Sequence, residues 1–284
     1  MAKKDKLLLR VVSLSMSLGR KYISSYSHNQ APKKFTQPQL FTCLILRMYL
    51  KTTYRGIIEY LEVAGELRKA MGLTQLPHYS TLKRFSDRSN VQEIVDALLA
   101  EIIAEFADDE TEIAMDSTGL ETTSASAHFK TRSGRKRKQY VKVSVSVTCE
   151  KMLPIGVVID WGPRNDKAEA PELLQKTAAA ILPKTLFADA GYDAEWIHQF
   201  CRDDWGVRSW IPPAVHRKDG QIGGQHRSKM TEKALKRNGY GRRWIVESFM
   251  SGLKRTTGSA LNARLEQSLF NEAALRVLAY AIKR

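Results

Sequence analysis

The sequence predicts an α/β protein in which an all-α N-terminal segment precedes a mixed sheet flanked by helices. Two observations carry this reading. Apolar residues recur at helical spacing between positions 36 and 106, and from residue 112 the period shortens to alternation. Three strands then follow one another before strands and helices alternate. That order suits an antiparallel meander joined to parallel strands through crossover helices.

The helical part begins with Leu40, Leu44, Ile45 and Met48, continues with Ile57, Ile58 and Leu61, and has a third helix holding Leu82 and Phe85 for which Ser80 is a candidate cap. In a fourth, Asn90 and Glu93 have capping-box spacing, and Ile94, Val95, Leu98, Leu99, Ile102, Ile103 and Phe106 make one apolar stripe. Residues 91 to 112 hold eight acids and no Lys or Arg, so that surface is expected to stay off DNA. Lys83, Arg84 and Arg88 would lie on the last helix of a helix-turn-helix reader, but the same helices could equally form a dimerisation platform.

Strands are expected at Ile113 to Ser117, at Gln139 to Thr148 with alternating Val141, Val143, Val145 and Val147, and at Leu153 to Trp161. A helix from about Ala168 to Ile181, a strand Thr185 to Ala188, a helix Ala194 to Arg202 and a strand Val207 to Ile211 come next. A final helical pattern covers Arg242 to Arg255. This gives a helical domain over 1–110 and a catalytic domain over 111–284.

Composition narrows the partners. With 43% hydrophobic and 26% charged residues, collagen-like, disordered and disulfide-scaffold classes are excluded. Forty-five Lys and Arg against thirty Asp and Glu leave a charge of +15, which favours a polyanion. Cys43, Cys149 and Cys201 are far apart and form no C-x-x-C pair, so reduced thiols are expected. Arg10 interrupts the apolar run after Leu7 with no cleavage site following, and no stretch approaches a membrane span; a cytoplasmic protein without a signal peptide is the expectation. Lys130, Arg132, Arg135, Lys136, Arg137, Lys138 and Lys142 read as a basic hairpin tip able to track phosphates, and residues 214 to 243 add nine Lys or Arg. No G-x-x-x-x-G-K-[ST] occurs, which disfavours a nucleotide-driven motor. The five tryptophans read mostly as core, Trp244 being a candidate to stack on a displaced base.

Three acids occupy positions suited to chemistry. Asp116 and Asp189 each end a short apolar strand, where side chains are displayed rather than buried. On the last helical pattern, Tyr240, Arg243, Glu247 and Lys254 fall within about 60° of one another, opposite Ile245, Val246, Phe249, Met250 and Leu253. By itself Arg243 with Glu247 is an ordinary i, i+4 surface pair. Joined to two strand-end aspartates, Glu247 completes a set of hard oxygen donors suited to Mg²⁺ or Mn²⁺, and two such ions can clamp an in-line phosphoryl displacement.

These residues carry a family resemblance. Tyr240, Arg243, Glu247 and Lys254 match Tyr-x2-Arg-x3-Glu-x6-Lys at every spacing, and the chain resembles insertion-sequence DDE transposases that bear this signature. Met115 to Thr118 is similar to that family's first-aspartate block and Ala188 to Tyr192 to its second. The resemblance implies a ribonuclease H-like catalytic domain in which Asp116, Asp189 and Glu247 bind two divalent ions, Mg²⁺ or Mn²⁺. It implies that Arg243 and Lys254 contact phosphates, that Tyr240 packs or hydrogen-bonds near the cleaved strand, and that the partner is double-stranded DNA, bound as a homodimer. Gly162, Asn165 and Asp166 are similar to a further block, with Asp166 read as a helix cap. A DNA-binding regulator without catalysis is the alternative function, and a purely hydrolytic nuclease would use the same acids.

Overall fold

A computed structural model describes residues 2–107, 109–122, 139–214 and 221–284. By packing, the chain forms two compact units, Met1–Leu98 with Leu253–Arg284, and Leu99–Gly252.

The first unit contains α1 (Ala2–Tyr22), α2 (Gln37–Tyr49), α3 (Tyr54–Val63), α4 (Gly65–Met71), α5 (Tyr79–Ser86) and α11 (Glu266–Lys283), and shares α6 (Val91–Phe106) and α10 (Trp244–Thr257) with the second. At its centre α2 is buried on every face, from Gln37 to Met48, as expected of a helix apolar all round. Its start is fixed by a capping box: the Gln39 amide donates to Thr36 Oγ1, and the Thr36 amide donates to Gln39 Oε1 at 2.8 Å. His78, not Ser80, caps α5. Of the cations proposed as a reader, Lys83 pairs with Asp87, Arg88 donates to Gln37 Oε1, and Arg84 Nε donates to the Ser80 carbonyl at 3.3 Å.

Two helices, α1 and α11, lie outside the elements the sequence predicts. The α11 helix is buried from Ser268 to Ile282, Phe270 excepted, although it carries Asn271, Glu272 and Arg276. Those polar groups are satisfied locally. Arg276 pairs with Glu272 at 2.7 Å and donates to the Gly258 and Ala260 carbonyls, while Glu272 accepts the Asn262 and Ala263 amides. Asn271 Nδ2 donates to the carbonyls of Ser86 and Arg88.

In the second unit a five-stranded sheet has the order β3-β2-β1-β4-β5, with β1 at Glu112–Glu121, β2 at Tyr140–Thr148, β3 at Pro154–Gly162, β4 at Thr185–Ala188 and β5 at Arg208–Trp210. The first three strands are antiparallel, and β4 and β5 run parallel to β1. This is the ribonuclease H-like mixed sheet the sequence predicts, flanked by helices. Helix α7 (Asp166–Ala180) crosses from β3 to β4, and α8 (Glu195–Gln199) runs into a π-turn before β5. A short α9 (Glu232–Arg237) and a 3-10 turn, Tyr240–Arg243, lead into α10.

The strand β1 extends four residues past the expected end at Ser117, because Thr118 to Glu121 continue the ladder with Val143 to Tyr140. Lys142 therefore belongs to the interior of β2, 3% exposed, and not to a hairpin tip. Trp161, Trp205 and Trp210 are half-buried, and Trp196 and Trp244 are exposed, so the tryptophans are not core residues as expected. All three cysteines are buried and free, with thiols pushed up to about 12 by burial. Among the described residues, no helix is long and apolar enough to cross a membrane.

Candidate active site

Strand register brings the two aspartates together. The parallel pairing of β1 with β4 runs from Glu112↔Thr185 to Met115↔Ala188, so Asp116 and Asp189 are the next residues of the two strands. For Asp189 the strand ends there; Asp116 instead lies within β1, opposite Val145 of β2. What ends at Asp116 is the pairing with β4, and its carboxyl is displayed where that pairing stops.

Both carboxylates are held by the backbone that follows them. Asp116 Oδ1 accepts the Ser117 amide at 2.7 Å, and Asp189 Oδ1 accepts the Gly191 amide at 2.8 Å as the cap of a 3-10 turn. Burial raises the Asp116 carboxyl to about 6, with the charges of Asp189 and Asp166 adding to the rise and the Ser117 amide and Arg243 opposing it. Fully buried Tyr192 is kept well above its ordinary value, first by burial and then by Asp166 and Asp116.

Glu247 reaches the group through a cation. It lies exposed on the first turn of α10, while Val246, Phe249, Met250 and Leu253 of that helix are buried. Arg243 Nη2 donates to Glu247 Oε1, and Arg243 Nη1 stands 3.4 Å from Asp116 Oδ2. One guanidinium thus spans an acid on the sheet and an acid on the helix. Burial pulls against this charge, but the bond to Glu247 outweighs it and holds Arg243 above its ordinary value. Tyr240 Oη donates to the Ala188 carbonyl at 3.1 Å and its ring meets Phe187 edge-on, so it braces the end of β4 next to Asp189. Burial raises its phenol to about 12, so it stays neutral.

A second group of polar residues, which sequence patterning missed, supports the pair. Lys142 Nζ contacts Asp166 Oδ1 at 2.8 Å and Glu169 Oε2 at 2.6 Å and donates to the Arg164 carbonyl, while Ser144 Oγ donates to Glu169 Oε2. Ser117 Oγ donates to Asp166 Oδ1. Burial pulls the Lys142 ammonium down, but the bonds to Asp166 and Glu169 outweigh it and leave it above its ordinary value. The signal was present in the sequence: Lys142, Ser144 and Ser146 alternate with valines on β2, and Asp166 and Glu169 sit three apart on the helix that covers it. Asp166 is not the cap of α7. That role belongs to Asn165, whose side chain accepts the Lys167 amide at 3.1 Å.

The donor chemistry fits divalent cations. Asp116, Asp189 and Asp166 are hard oxygen donors, and Asp116 is raised first by burial and then by the charges of the other two, a condition that bound positive charge relieves. Among the described residues, no three His, Cys, Asp or Glu side chains already converge as a cation cage, and the Arg243 guanidinium stands between Asp116 and Glu247. Lys254 is on α10 seven residues beyond Glu247, in the part of the chain assigned to the first unit. Arg132, Arg135, Lys136, Arg137 and Lys138 lie outside the described residues.

The mixed sheet, with adjacent acids on β1 and after β4 and a glutamate on a later helix, places the chain in the ribonuclease H-like fold class. Within it the chain has a definite place: residues 107–282 match the family model described as "Transposase DDE domain", and the protein belongs to that family. None of the curated proteins matches the chain. Among solved structures it is similar to the Drosophila P element transposase strand transfer complex, at 13% identity and a TM-score of 0.35, over 94% of this chain and 70% of that one.

Proposed function

We propose that this transposase cleaves DNA at the ends of its element and joins the freed 3′-hydroxyls to a target, using Asp116, Asp189 and Glu247 to hold two divalent cations, Mg²⁺ or Mn²⁺. The observation that carries the reading is the β1/β4 register, which sets Asp116 beside Asp189 at the end of their pairing. When bound, such ions supply activation of the attacking oxygen and charge stabilisation of the leaving one.

The protein's own residues prepare that chemistry. The amides of Ser117 and Gly191 orient the two aspartates, and Tyr240 fixes the backbone of β4 just before Asp189. Arg243 shares its single positive charge between Asp116 and Glu247. In the reactive complex its guanidinium turns to a phosphate oxygen, for which a planar fork is suited. Lys254 and the basic run Arg132, Arg135, Lys136, Arg137 and Lys138 are the cations assigned to the backbone of double-stranded DNA, and the protein acts as a homodimer.

The test is single-turnover cleavage of an element-end duplex by Asp116→Asn, Asp189→Asn and Glu247→Gln. Each is expected to lose Mg²⁺-dependent cleavage and keep DNA affinity, and Ca²⁺ is expected to support binding without turnover. Retained cleavage by any of the three removes that residue from the site. Joining of a pre-cleaved 3′-hydroxyl end to a target separates a transposase from an enzyme that only hydrolyses.

A further inference from the structure

With Asn165 capping α7, Asp166 at the first helical position has no capping duty, and its two carboxylate oxygens differ sharply. Oδ1 is fully engaged, by Lys142 Nζ at 2.8 Å and by the Ser117 hydroxyl. Oδ2 accepts no hydrogen bond among the described residues. Where it points follows from Gly191. A Cβ on that residue would stand 2.6 Å from Asp166 Oδ2 and 2.8 Å from Asp189 Oδ1. One point thus lies close to both oxygens, and the sum of the two distances bounds their separation. That upper bound, about 5.4 Å, is wider than the roughly 4.2 Å that two oxygens can span across one Mg²⁺ ion, so a small side-chain turn brings both onto it. The glycine keeps this gap open.

Burial and charge argue the same way. Lys142 is almost completely buried, yet its charge is shared between Asp166 and Glu169, and Glu169 also takes the Ser144 hydroxyl. The lysine clamps Asp166 in one orientation and pairs with neither Asp116 nor Asp189. An acid added merely to start a helix would gain nothing from a place beside two others that repel it.

We propose that Asp166 is a fourth carboxylate of the cation centre, offering Oδ2 to the ion held by Asp189 and Asp116, with Lys142 and Ser117 fixing it through Oδ1. This rests on the proposed function. It adds a ligand that the three-acid assignment lacks and gives the buried Lys142 a positioning role.

The test measures Mn²⁺ binding to the full-length, DNA-free protein by the electron paramagnetic resonance signal of free Mn²⁺, alongside thermal melting in EDTA. Asp166→Asn is expected to weaken Mn²⁺ affinity at least about tenfold, while melting in EDTA reads separately the stability lost with the Lys142 ion pair. Cleavage by this variant should be recovered in part by raised Mn²⁺. Gly191→Ala tests the same gap with every charge kept, since the added methyl would sit between the two oxygens, and the same loss of Mn²⁺ affinity is expected. If Asp116→Asn loses Mn²⁺ while Asp166→Asn binds it like the wild type, the inference is overturned and the proposed function stands. A folded Gly191→Ala protein with wild-type Mn²⁺ affinity overturns it too, including where Asp166→Asn does not fold. If Asp116→Asn itself binds Mn²⁺ unchanged, the underlying metal reading fails.

Discussion

Replacing Asp116 by Asn should make the metal-free protein more stable, although it removes the proposed reaction. The carboxyl sits at about 6 against an ordinary 3.8, because burial and the neighbouring acids outweigh the Ser117 amide and Arg243. Keeping it ionised in the folded state therefore costs about 3 kcal/mol. The sign follows from proton release. Below pH 4 both folded and unfolded chains hold the proton and the cost is absent. Between pH 4 and 6 the unfolded chain releases its proton first, so wild-type stability falls as pH rises, and above 6 the full cost persists. An amide does not titrate, and its oxygen can still accept the Ser117 amide. Arg243 keeps Glu247 but loses Asp116, which trims the gain.

Urea unfolding of wild type and D116N in a chelator, from pH 4 to 8, isolates the effect, since other titrating groups are common to both. The stability difference should rise from near zero at pH 4 to between about 1 and 3 kcal/mol at pH 8. Saturating Mg²⁺ should close most or all of this gap by stabilising the wild type alone, by about 2.7 kcal/mol at one hundred times Kd. A difference that is flat with pH, or a D116N protein that gains equally from Mg²⁺, would refute the account of crowded carboxylates waiting for a cation.

Burial holds His198 down to about 4, with Arg202 adding to the fall, so stability should be intact above pH 6.5 and drop by about 3 kcal/mol as pH approaches 4; His198→Gln should flatten that loss in acid unfolding curves. Tyr240→Phe removes the bond to the Ala188 carbonyl and should cost about 1 kcal/mol in urea unfolding, with slower cleavage because Asp189 is the next residue. Lys254→Ala should weaken DNA binding and lower the salt slope of log K by about 0.9, read by fluorescence anisotropy across a salt series, with its cleavage defect partly rescued at low salt. Replacing Arg132, Arg135, Lys136, Arg137 and Lys138 together by Ala should lower the slope further, by up to about 0.9 for each phosphate no longer neutralised; an unchanged slope would mean that the run is only solvated.

Local pattern made the sheet legible because alternation and strand-end acids are properties of consecutive residues. Valines on β2 and the apolar runs before Asp116 and Asp189 could be read without knowing what they pack against. Pairing could not. Ser117, Thr118 and Gly119 look like the end of a strand by composition, and only their ladder with Ser144 to Lys142 makes them its middle. Lys142 looks like the last member of a basic run for the same reason: the acids that bury it, Asp166 and Glu169, are more than twenty residues away. On α11, Glu272 and Arg276 fall four apart on the face opposite the apolar stripe and read as a solvated pair, whereas the carbonyls and amides that receive them and Asn271 belong to other segments. In each case a polar residue reads as solvated, the ordinary place for it, when a distant partner is arranged to receive it inside. An exposed polar residue needs nothing from the rest of the chain, whereas a buried one requires its partners to be in place. Charged groups found inside the fold and close to the site, as Lys142 and Asp166 are, therefore carry more information about function than the many cations left on the surface.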